Sequence, residues 1–417
     1  MVKLRAHLSP AWQRTDKDAL QAQQIIRNIL EDTLSADNAV RVAMINNPGL
    51  QGALTELGIA EADWVQAGKM RNPSYSFLKL TPVSDEYDTE QRVLLDVMSL
   101  ITIPMRSCIE KQRFQQAKIQ AAINILDVAA QTRKAYYRLI AAEQTVHYIA
   151  KVKETAHINS QLAKQLEKVG NFSKLQKDRE QVFLAEIHTQ ELRAKMSAKK
   201  EREQLVRLLG LKNAHSLKLP ERLPDLPTSF PEWQQIEKAA ISKRLDIQMM
   251  QHELNSKAKS LGLTKATRFI SVLEAGYAYN SSDSKPHQSG YEINLEIPLF
   301  DWGEAKVAKA QNIYMQSVWR LREVVTNAGS EIREAYQIYQ MSYDLAKHLR
   351  DDLVPLRKRI LDEAMLRYNG MLISTFELMV DEREQILSVN NYIEALRDFW
   401  LAQADMQTAL MVKSPFN

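Results

Sequence analysis

Residues Gly290–Gly303 read GYEINLEIPLFDWG, and this stretch decides the fold. Apolar and polar side chains alternate along it as far as Pro298, which is the period of a β-strand with two different faces. One face holds Tyr291, Ile293, Leu295 and Ile297, and the opposite face holds Glu292, Asn294 and Glu296. The proline and the Asp-Trp-Gly after it then mark a junction between this strand and an Ala-rich helix.

Three other segments alternate in the same way. Their apolar faces hold Val93, Leu95, Val97, Ile101 and Ile103 in one segment, Phe269, Leu273, Ala275, Tyr277 and Tyr279 in the next, and Tyr75 and Phe77 in the last. Four strands of about ten residues with one apolar face fit a tilted membrane barrel. They also fit a soluble four-stranded sheet lying on a helix bundle, and the alternation alone leaves both open.

The chain repeats itself after about 200 residues. The spacing is the same between Ala135-Tyr136 and Gly170 as between Ala335-Tyr336 and Gly370. We therefore predict an N-terminal extension (1–34), a first repeat (35–219), a Pro-rich extended linker (220–230) and a second repeat (231–417). Each repeat contains a strand pair, at about 73–104 and 268–298, and a long helical hairpin, at about 107–210 and 303–412.

The composition favours long helices, because only 12 glycines and 13 prolines occur in 417 residues. The first long helix is expected from about Ser107, and the second is expected to kink at Pro355. Gly170-Asn171 and Asn369-Gly370 would turn each long helix into its return helix, with glycine serving a position of positive φ.

Several classes of protein are excluded or disfavoured. A net charge of +4, spread over 55 basic and 51 acidic residues, gives no basic face for nucleic acid. The lone Cys108 excludes an internal disulfide, and the eight histidines form no metal-binding pattern. Phosphate-binding loops and nucleophile motifs are absent, so we expect no enzyme, no metal and no cofactor. Neither a signal peptide nor an apolar stretch of transmembrane length is expected in this chain.

Taken in order, these features resemble the TolC-like outer-membrane efflux proteins, from about Leu34 to Leu410. The resemblance is carried by AMINNPGL (Ala43–Leu50), TRKAYY (Thr132–Tyr137), KVGNFSKLQ (Lys168–Gln176), RLLGL (Arg207–Leu211), INLEIPLFDWG (Ile293–Gly303) and EIREAY (Glu331–Tyr336). It implies a mainly α fold with a membrane β part. Each protomer would give four β-strands to a 12-stranded trimeric barrel, and its coiled-coil-like helices would form a periplasmic tunnel.

The resemblance also implies a function. The chain would be a passive exit duct in the outer membrane, a homotrimer that works with a periplasmic adaptor and an inner-membrane pump. Outer-membrane lipid would contact Tyr291, Ile293, Leu295 and Ile297, while Glu292, Asn294 and Glu296 would line the lumen. Gly170, Asn171, Asn369 and Gly370 would be the periplasmic tips.

The family closes its entrance at these tips. The candidate gate residues are Arg367, Tyr368, Glu377 and Asp381, although Phe376 and Met379 stand where acidic residues are usual. The sequence as a whole is closer to the metal-efflux members of the family than to the general drug-efflux members. The alternative function is a soluble coiled-coil scaffold without a transport role.

Overall fold

The structure is a computed structural model that describes residues 12–80, 88–212, 217–228, 244–270, 272–282 and 286–411. The chain forms two compact units. The first unit comprises Met1–Gly52, Ala122–Arg244 and Ala328–Asn417, and the second comprises Ala53–Ala121 and Leu245–Asn327. Both predicted repeats contribute to both units, so a repeat describes chain order rather than a separately packed body. We also predict from the sequence a helix that begins at Glu232, and this segment lies outside the described residues.

A strand pair followed by a long helical hairpin occurs in both repeats, in the predicted order. The helices are α1 (Asp16–Glu31), α2 (Ala36–Asn46), α3 (Pro48–Ala67), α4 (Val97–Lys168), α5 (Lys174–Leu209), α6 (Leu245–Ala266), α7 (Glu304–His348), α8 (Val354–Asn369) and α9 (Thr375–Met411). The strands are β1 (Ser74–Leu80), β2 (Asp88–Asp96), β3 (Leu273–Ser282) and β4 (Gln288–Leu295). The prediction of a mainly helical fold with one small β-sheet is therefore confirmed.

The helix α4 begins earlier than the sequence predicts. We predicted strand up to residue 104, with Val97, Ile101 and Ile103 on its apolar face, but β2 ends at Asp96 and all three are helical. The carboxylate of Asp96 accepts a hydrogen bond from the Ser99 N–H at 2.7 Å, the contact by which aspartate caps a helix N-terminus. Local capping therefore outweighs the alternating pattern at this junction.

The second long helix is interrupted near Pro355, where a kink was predicted. A short π-helix, Leu349–Leu353, separates α7 from α8, and the Val354 N–H donates to the Leu349 carbonyl. A proline lacks the N–H that a regular helix needs, and its ring crowds the carbonyl four residues earlier. One wider turn just before the proline accommodates both defects.

The four strands form one antiparallel sheet in the order β1-β2-β3-β4. The pairing of β2 with β3, in which Leu94 lies opposite Gly276, joins the strand pair of one repeat to that of the other. Within the described residues, the outer edges of β1 and β4 have no paired strand. The strand β4 ends at Leu295, so Glu296 and Ile297 follow the strand instead of belonging to it.

The core of the first unit combines small and aromatic side chains. Ala135 and Ala335, at matching places in the two repeats, are 0% and 1% exposed. Phe399 is fully buried, and its ring stacks on Tyr339 with centroids 5.4 Å apart. Alanines let helices approach closely and aromatic rings fill the remaining space. The repeated Ala-Tyr motif is therefore a packing motif.

The end of α5 is held by the loop between α2 and α3. The Asn46 side-chain amide donates to the carbonyls of Leu209 and Gly210 at 2.9 and 2.8 Å, and the Asn47 amide donates to Leu208 at 2.8 Å. These bonds satisfy carbonyls that a helix C-terminus leaves unpaired. Gly210 has φ +66°, and a Cβ there would lie 2.3 Å from the Asn46 carbonyl oxygen. The motif AMINNPGL is therefore structural.

Two segments outside the hairpins also pack on the first unit. The helix α1 starts with a capping box between Thr15 and Asp18, and it buries Ala22 and Ile26. The predicted N-terminal extension thus contains a docked helix. Residues 217–228 include most of the Pro-rich linker. The Pro224 carbonyl accepts a hydrogen bond from Trp400 Nε1 at 3.0 Å, and the Pro227 carbonyl accepts one from the Tyr343 hydroxyl at 3.2 Å. The described part of the linker is therefore held on the first unit by hydrogen bonds and by the buried side chains of Leu223 and Leu226.

Candidate functional site

The pairing register sorts the side chains of the sheet into two faces. On one face, a row of Tyr75, Val93, Tyr277 and Tyr291 crosses all four strands. Tyr291 and Ile293 on this face are 94% and 73% exposed. A continuous apolar surface of this kind is typical of contact with a non-aqueous partner.

The opposite face is polar, and it is less acidic than β4 alone suggests. The Arg92 guanidinium lies 3.5 Å from the Glu292 carboxylate on β4 and also pairs with Glu90 on its own strand. The Asn294 amide donates to Glu274 at 3.3 Å. The sequence reasoning missed Arg92, because apolar residues on both faces of β2 blurred its alternation. The predicted lumen residues therefore share their face with a balancing cation.

The first helical tip lies between α4 and α5. Gly170 has φ +80°, as its position at a turn predicts. Its N–H donates to the Glu167 carbonyl at 3.0 Å, and the Asn171 N–H donates to the Leu166 carbonyl at 2.9 Å. This pair of bonds is the Schellman motif, which ends a helix at a left-handed residue. Ser173 then caps α5, since its side chain accepts a hydrogen bond from the Gln176 N–H.

The second tip, between α8 and α9, uses a different residue for the same turn. Met371 has φ +57°, whereas Gly370 has φ −80°. The Met371 N–H donates to the Tyr368 carbonyl at 2.9 Å, and the Leu372 N–H donates to the Arg367 carbonyl at 2.8 Å. The prediction that Gly370 supplies the positive φ is wrong. The repeat alignment matched glycine with glycine, but the Schellman motif lies one residue later in the second copy.

Met371→Gly is expected to stabilise the second tip by up to about 1 kcal/mol. A left-handed conformation costs a residue with a Cβ about 1–2 kcal/mol, and the greater backbone entropy of glycine offsets part of that gain. Hydrogen exchange of the last turn of α8 would measure the effect as increased protection. Gly370→Ala serves as the control, since its added Cβ would find no atom closer than 3.5 Å. Stabilisation by the alanine variant, and none by the glycine variant, would contradict the assignment.

The candidate gate residues have different surroundings at this tip. Arg367 pairs with Glu363 on its own helix at 2.9 Å. Glu377 accepts a hydrogen bond from the Ser374 N–H at 2.8 Å, which lowers the pKa of its carboxyl group and makes it part of the cap of α9. The side chains of Tyr368 and Asp381 have no hydrogen-bond or ion-pair partner in the part of the chain that the structure describes. Arg367 and Glu377 therefore already have side-chain partners within their own hairpin.

A groove of about 730 Å³ lies beside these residues, between α8 and α9. Its apolar lining consists of Leu356, Ile360, Ala364, Ile373, Phe376 and Val380. Charged side chains of both signs surround that lining, among them Arg359 and Asp381. The Arg179 guanidinium of the first hairpin lies 4.8 Å from the centre of the Phe376 ring, so the two tips are in contact.

Two carboxyl groups, one buried and one partly buried, lie between the hairpins. Glu180 on α5 is 4% exposed, and its Oε2 atom is buried without a hydrogen-bond partner. Burial raises the pKa of Glu180, and burial together with the Glu180 charge raises the pKa of Glu382 on α9. Arg383 opposes both shifts, and burial raises the pKa of the neighbouring Tyr148 to about 12. The sequence shows no sign of this pair, because its members are about 200 residues apart.

Glu382→Gln is expected to increase stability at pH 7. The pKa of this carboxyl group is raised in the folded state. The native state therefore loses stability as the pH rises from 4.5, the ordinary pKa of the group, through the raised pKa. The gain from the glutamine variant should therefore vanish at pH values below 4.5. Denaturant midpoints in detergent at both pH values would measure it. Glu394→Gln, an exposed site on the same helix, is the control, and a pH-independent gain at Glu382 would contradict the prediction.

The described ranges contain no cluster of side chains that could hold a metal ion and no helix that could span a membrane. Among those residues, no group of three or more His, Cys, Asp or Glu side chains is arranged to hold a metal ion. No helix that the structure describes combines the length and the apolarity needed to cross a bilayer.

No protein-family model matches the sequence, and no curated protein matches it significantly. Solved structures do resemble it. A membrane protein from Pseudomonas aeruginosa has a TM-score of 0.76 at 17% identity, over 90% of this chain and 93% of that chain. The outer-membrane channel CmeC of Campylobacter jejuni gives 0.72 at 15% identity, over 98% and 91%. The outer-membrane protein VceC of Vibrio cholerae gives 0.74 at 14% identity, over 94% and 96%.

These similarities define the class of the fold. It is the TolC-like fold of solved outer-membrane channels such as CmeC, as the sequence predicts.

Proposed function

We propose that this chain is the protomer of an outer-membrane exit duct for efflux, which conducts solutes passively and carries out no chemical step. The observation that carries the proposal is the four-stranded sheet, which among the described residues has two unpaired edges and one exposed apolar face. An open sheet edge is unstable in hydrocarbon, and four strands are too few to close around a channel. Three copies joined edge to edge would pair every strand in a barrel of about 12 strands.

In this arrangement, the face with Tyr291, Ile293 and Leu295 contacts outer-membrane lipid, and Ile297 follows it at the strand end. Glu292, Asn294 and Glu296 face the lumen. Because Arg92 lies beside Glu292, we expect a weaker preference for cations than the carboxylates alone would give.

Spin labels at two adjacent positions test the orientation. In lipid vesicles and a Cys108→Ser background, oxygen should relax a label at Ile293 more strongly than one at Glu292, because oxygen concentrates in hydrocarbon. A water-soluble nickel chelate should show the opposite order. Equal accessibility at both positions would contradict the assignment, and a monomer extracted without detergent would support the soluble scaffold instead.

We also propose that the helical tips bind a periplasmic adaptor, through which the duct works with an inner-membrane pump. The mixed-charge groove between α8 and α9 supports this proposal, because partly exposed apolar side chains with a charged rim are typical of transient binding surfaces. The turns at Gly170, Asn171, Asn369 and Gly370 would present that surface. The metal-efflux subtype suggested by the sequence stays a prediction.

At the entrance, Tyr368 and Asp381 are the best gate candidates, since each is free to contact a neighbouring protomer. Asp381→Asn is expected to raise the conductance of the closed channel in planar bilayers, because it removes one partner of any contact between protomers. Glu377→Gln is the matched control, as its carboxylate caps α9. Equal conductance in the wild type and both variants would contradict a gate at Asp381.

A further inference from the structure

A second cavity, of about 610 Å³, lies in the second unit where the sheet meets the helices. The first turns of α4 and α7 and the C-terminal half of α6 line it, together with the segments that join the helices to the sheet. Its lining contains one carboxylate, that of Asp96, and six cationic side chains. The cations are Arg71, Arg106, Lys257, Arg268, Lys306 and Lys309. We refer to this site as the basic cavity.

The basic cavity lies at one end of the polar face of the sheet. Asp96, in its lining, is the last residue of β2 and lies opposite Glu274 on β3, which in turn lies opposite Asn294 on β4. Residues directly opposite each other in a sheet point to the same side, so all three share the face that carries Glu292. In the proposed duct this face borders the lumen. A ligand of the cavity would therefore arrive from water.

Most of the positive charge in the lining is not balanced within the chain. Arg71 lies 3.3 Å from Asp96, so the one carboxylate of the lining already has a partner. The side chains of Lys257 and Lys309 have no hydrogen-bond or ion-pair partner among the residues that the structure describes. An anion in the cavity would supply the missing negative charge.

Two other cations of the lining have only weak partners. Lys306 lies 3.9 Å from Asp301, and the two side chains are 62% and 63% exposed, so this ion pair contributes little. The Arg268 guanidinium lies 4.0 Å from the centre of the Phe269 ring. A guanidinium over an aromatic ring keeps its N–H groups available for an acceptor at its edge.

Arg106 adds an unsatisfied donor. Its Nη2 donates to the Ser99 carbonyl at 2.6 Å, which fixes the guanidinium at the cavity wall. Its Nε atom is buried and has no hydrogen-bond partner among the described residues. Buried guanidinium N–H groups are nearly always bonded, so this donor points to an acceptor that the described chain does not provide.

We propose that the basic cavity binds a small oxyanion of the phosphate type, which reaches it from the water in the lumen. The inference rests on the proposed function, which turns this face of the sheet toward the lumen. Several cations and an oriented guanidinium match an anion with several charged oxygens better than they match chloride. The cavity is larger than a phosphate ion, so an organic solute that carries a phosphate group would also fit.

Calorimetric titration of the full-length protein with inorganic phosphate, in non-ionic detergent, tests the proposal. The buffer contains about 0.15 M sodium chloride, which screens diffuse surface charge. We expect saturable binding that Lys257→Gln/Lys309→Gln weakens at least about tenfold, which corresponds to the loss of one charge-assisted hydrogen bond. Neither lysine has a side-chain partner to lose within the described residues, so this variant should fold.

Two further variants show whether binding depends on the cavity or only on net charge. Lys265→Gln/Arg320→Gln is the matched control, because it removes the same charge from exposed positions of α6 and α7 outside the lining. It should change the affinity by less than about threefold. Arg106→Lys keeps the charge but lacks the buried Nε donor, and it should weaken binding about tenfold. Equal losses in the two double variants, or wild-type affinity in Arg106→Lys, would each overturn the proposal.

A carboxylate from a neighbouring protomer is the competing occupant of the basic cavity. In that case the wild-type protein would not bind phosphate, and Lys257→Gln/Lys309→Gln would weaken the association of protomers, which mass measurement in detergent detects. That result would overturn the proposal.

The outcome can be separated from that of the proposed function. Phosphate binding is measured in detergent, whereas insertion and conductance are measured in lipid bilayers. Channels that conduct normally but bind no phosphate would overturn only the anion site. A protein that binds phosphate but fails to insert would count against the duct itself.

Discussion

Gly276→Val is expected to prevent β2 from pairing with β3. A Cβ at Gly276 would lie 2.1 Å from the Val93 carbonyl oxygen and 2.7 Å from Leu94 Cδ2. A side-chain rotation cannot relieve a contact with a backbone oxygen, so the strand itself must move. Ordinary overpacking costs about 1–3 kcal/mol, and a backbone clash should exceed that range. Since this pairing joins the two repeats, the whole sheet depends on it.

Cross-linking measures the effect directly. Gln91 and Tyr279 are register partners on β2 and β3, so cysteines at both positions should form a disulfide in a Cys108→Ser background. We expect the yield to fall at least about tenfold with valine at Gly276, which corresponds to about 1.4 kcal/mol. Gly290→Val on β4 is the matched control, because a Cβ there would meet no atom within 4 Å. An undiminished yield with Gly276→Val would show that the register is wrong.

Arg244→Met is expected to lower the free energy of unfolding by about 3–5 kcal/mol. Arg244 is 1% exposed, and its guanidinium lies 2.8 Å from the Glu331 carboxylate. It also donates to the Ala328 carbonyl at 3.4 Å. Methionine would leave the mostly buried Glu331 without its cation, and an unpaired buried charge is far more costly than a lost surface pair. The midpoint of denaturant unfolding in detergent would measure the change.

Two further variants test the reason for this loss. Arg244→Met combined with Glu331→Leu should recover much of the stability, because it removes both charges. Arg113→Met breaks a more exposed pair with Glu110, 2.7 Å away, and should cost less than about 1 kcal/mol. A loss at Arg244 no larger than that at Arg113 would contradict the importance of the buried pair.

Local patterns predicted the sheet and the helical hairpins well. The alternation of β4 placed Tyr291 and Ile293 on one face and Glu292 on the other, and the register confirms that sorting. The turn at Gly170 also followed from the sequence. Each of these features depends on a few neighbouring residues, whose backbone preferences and side-chain period are properties of the chain itself.

Other features required the three-dimensional structure. The sequence assigned the left-handed turn to Gly370, although Met371 adopts it, and it extended β2 through residues that form the start of α4. Arg92 pairs with Glu292, and the charge of Glu180 acts on Glu382, only because strands and helices that are distant in the chain lie side by side.

The amino-acid sequence by itself determined the order of the elements, the two faces of the sheet and the positions of the tips. Tertiary structure decided which charges are paired, which carboxyl groups are buried and that cationic side chains from three helices line one cavity. The physical reason is that periodicity and capping act over a few residues, whereas burial and electrostatic pairing depend on distances between groups far apart in the chain.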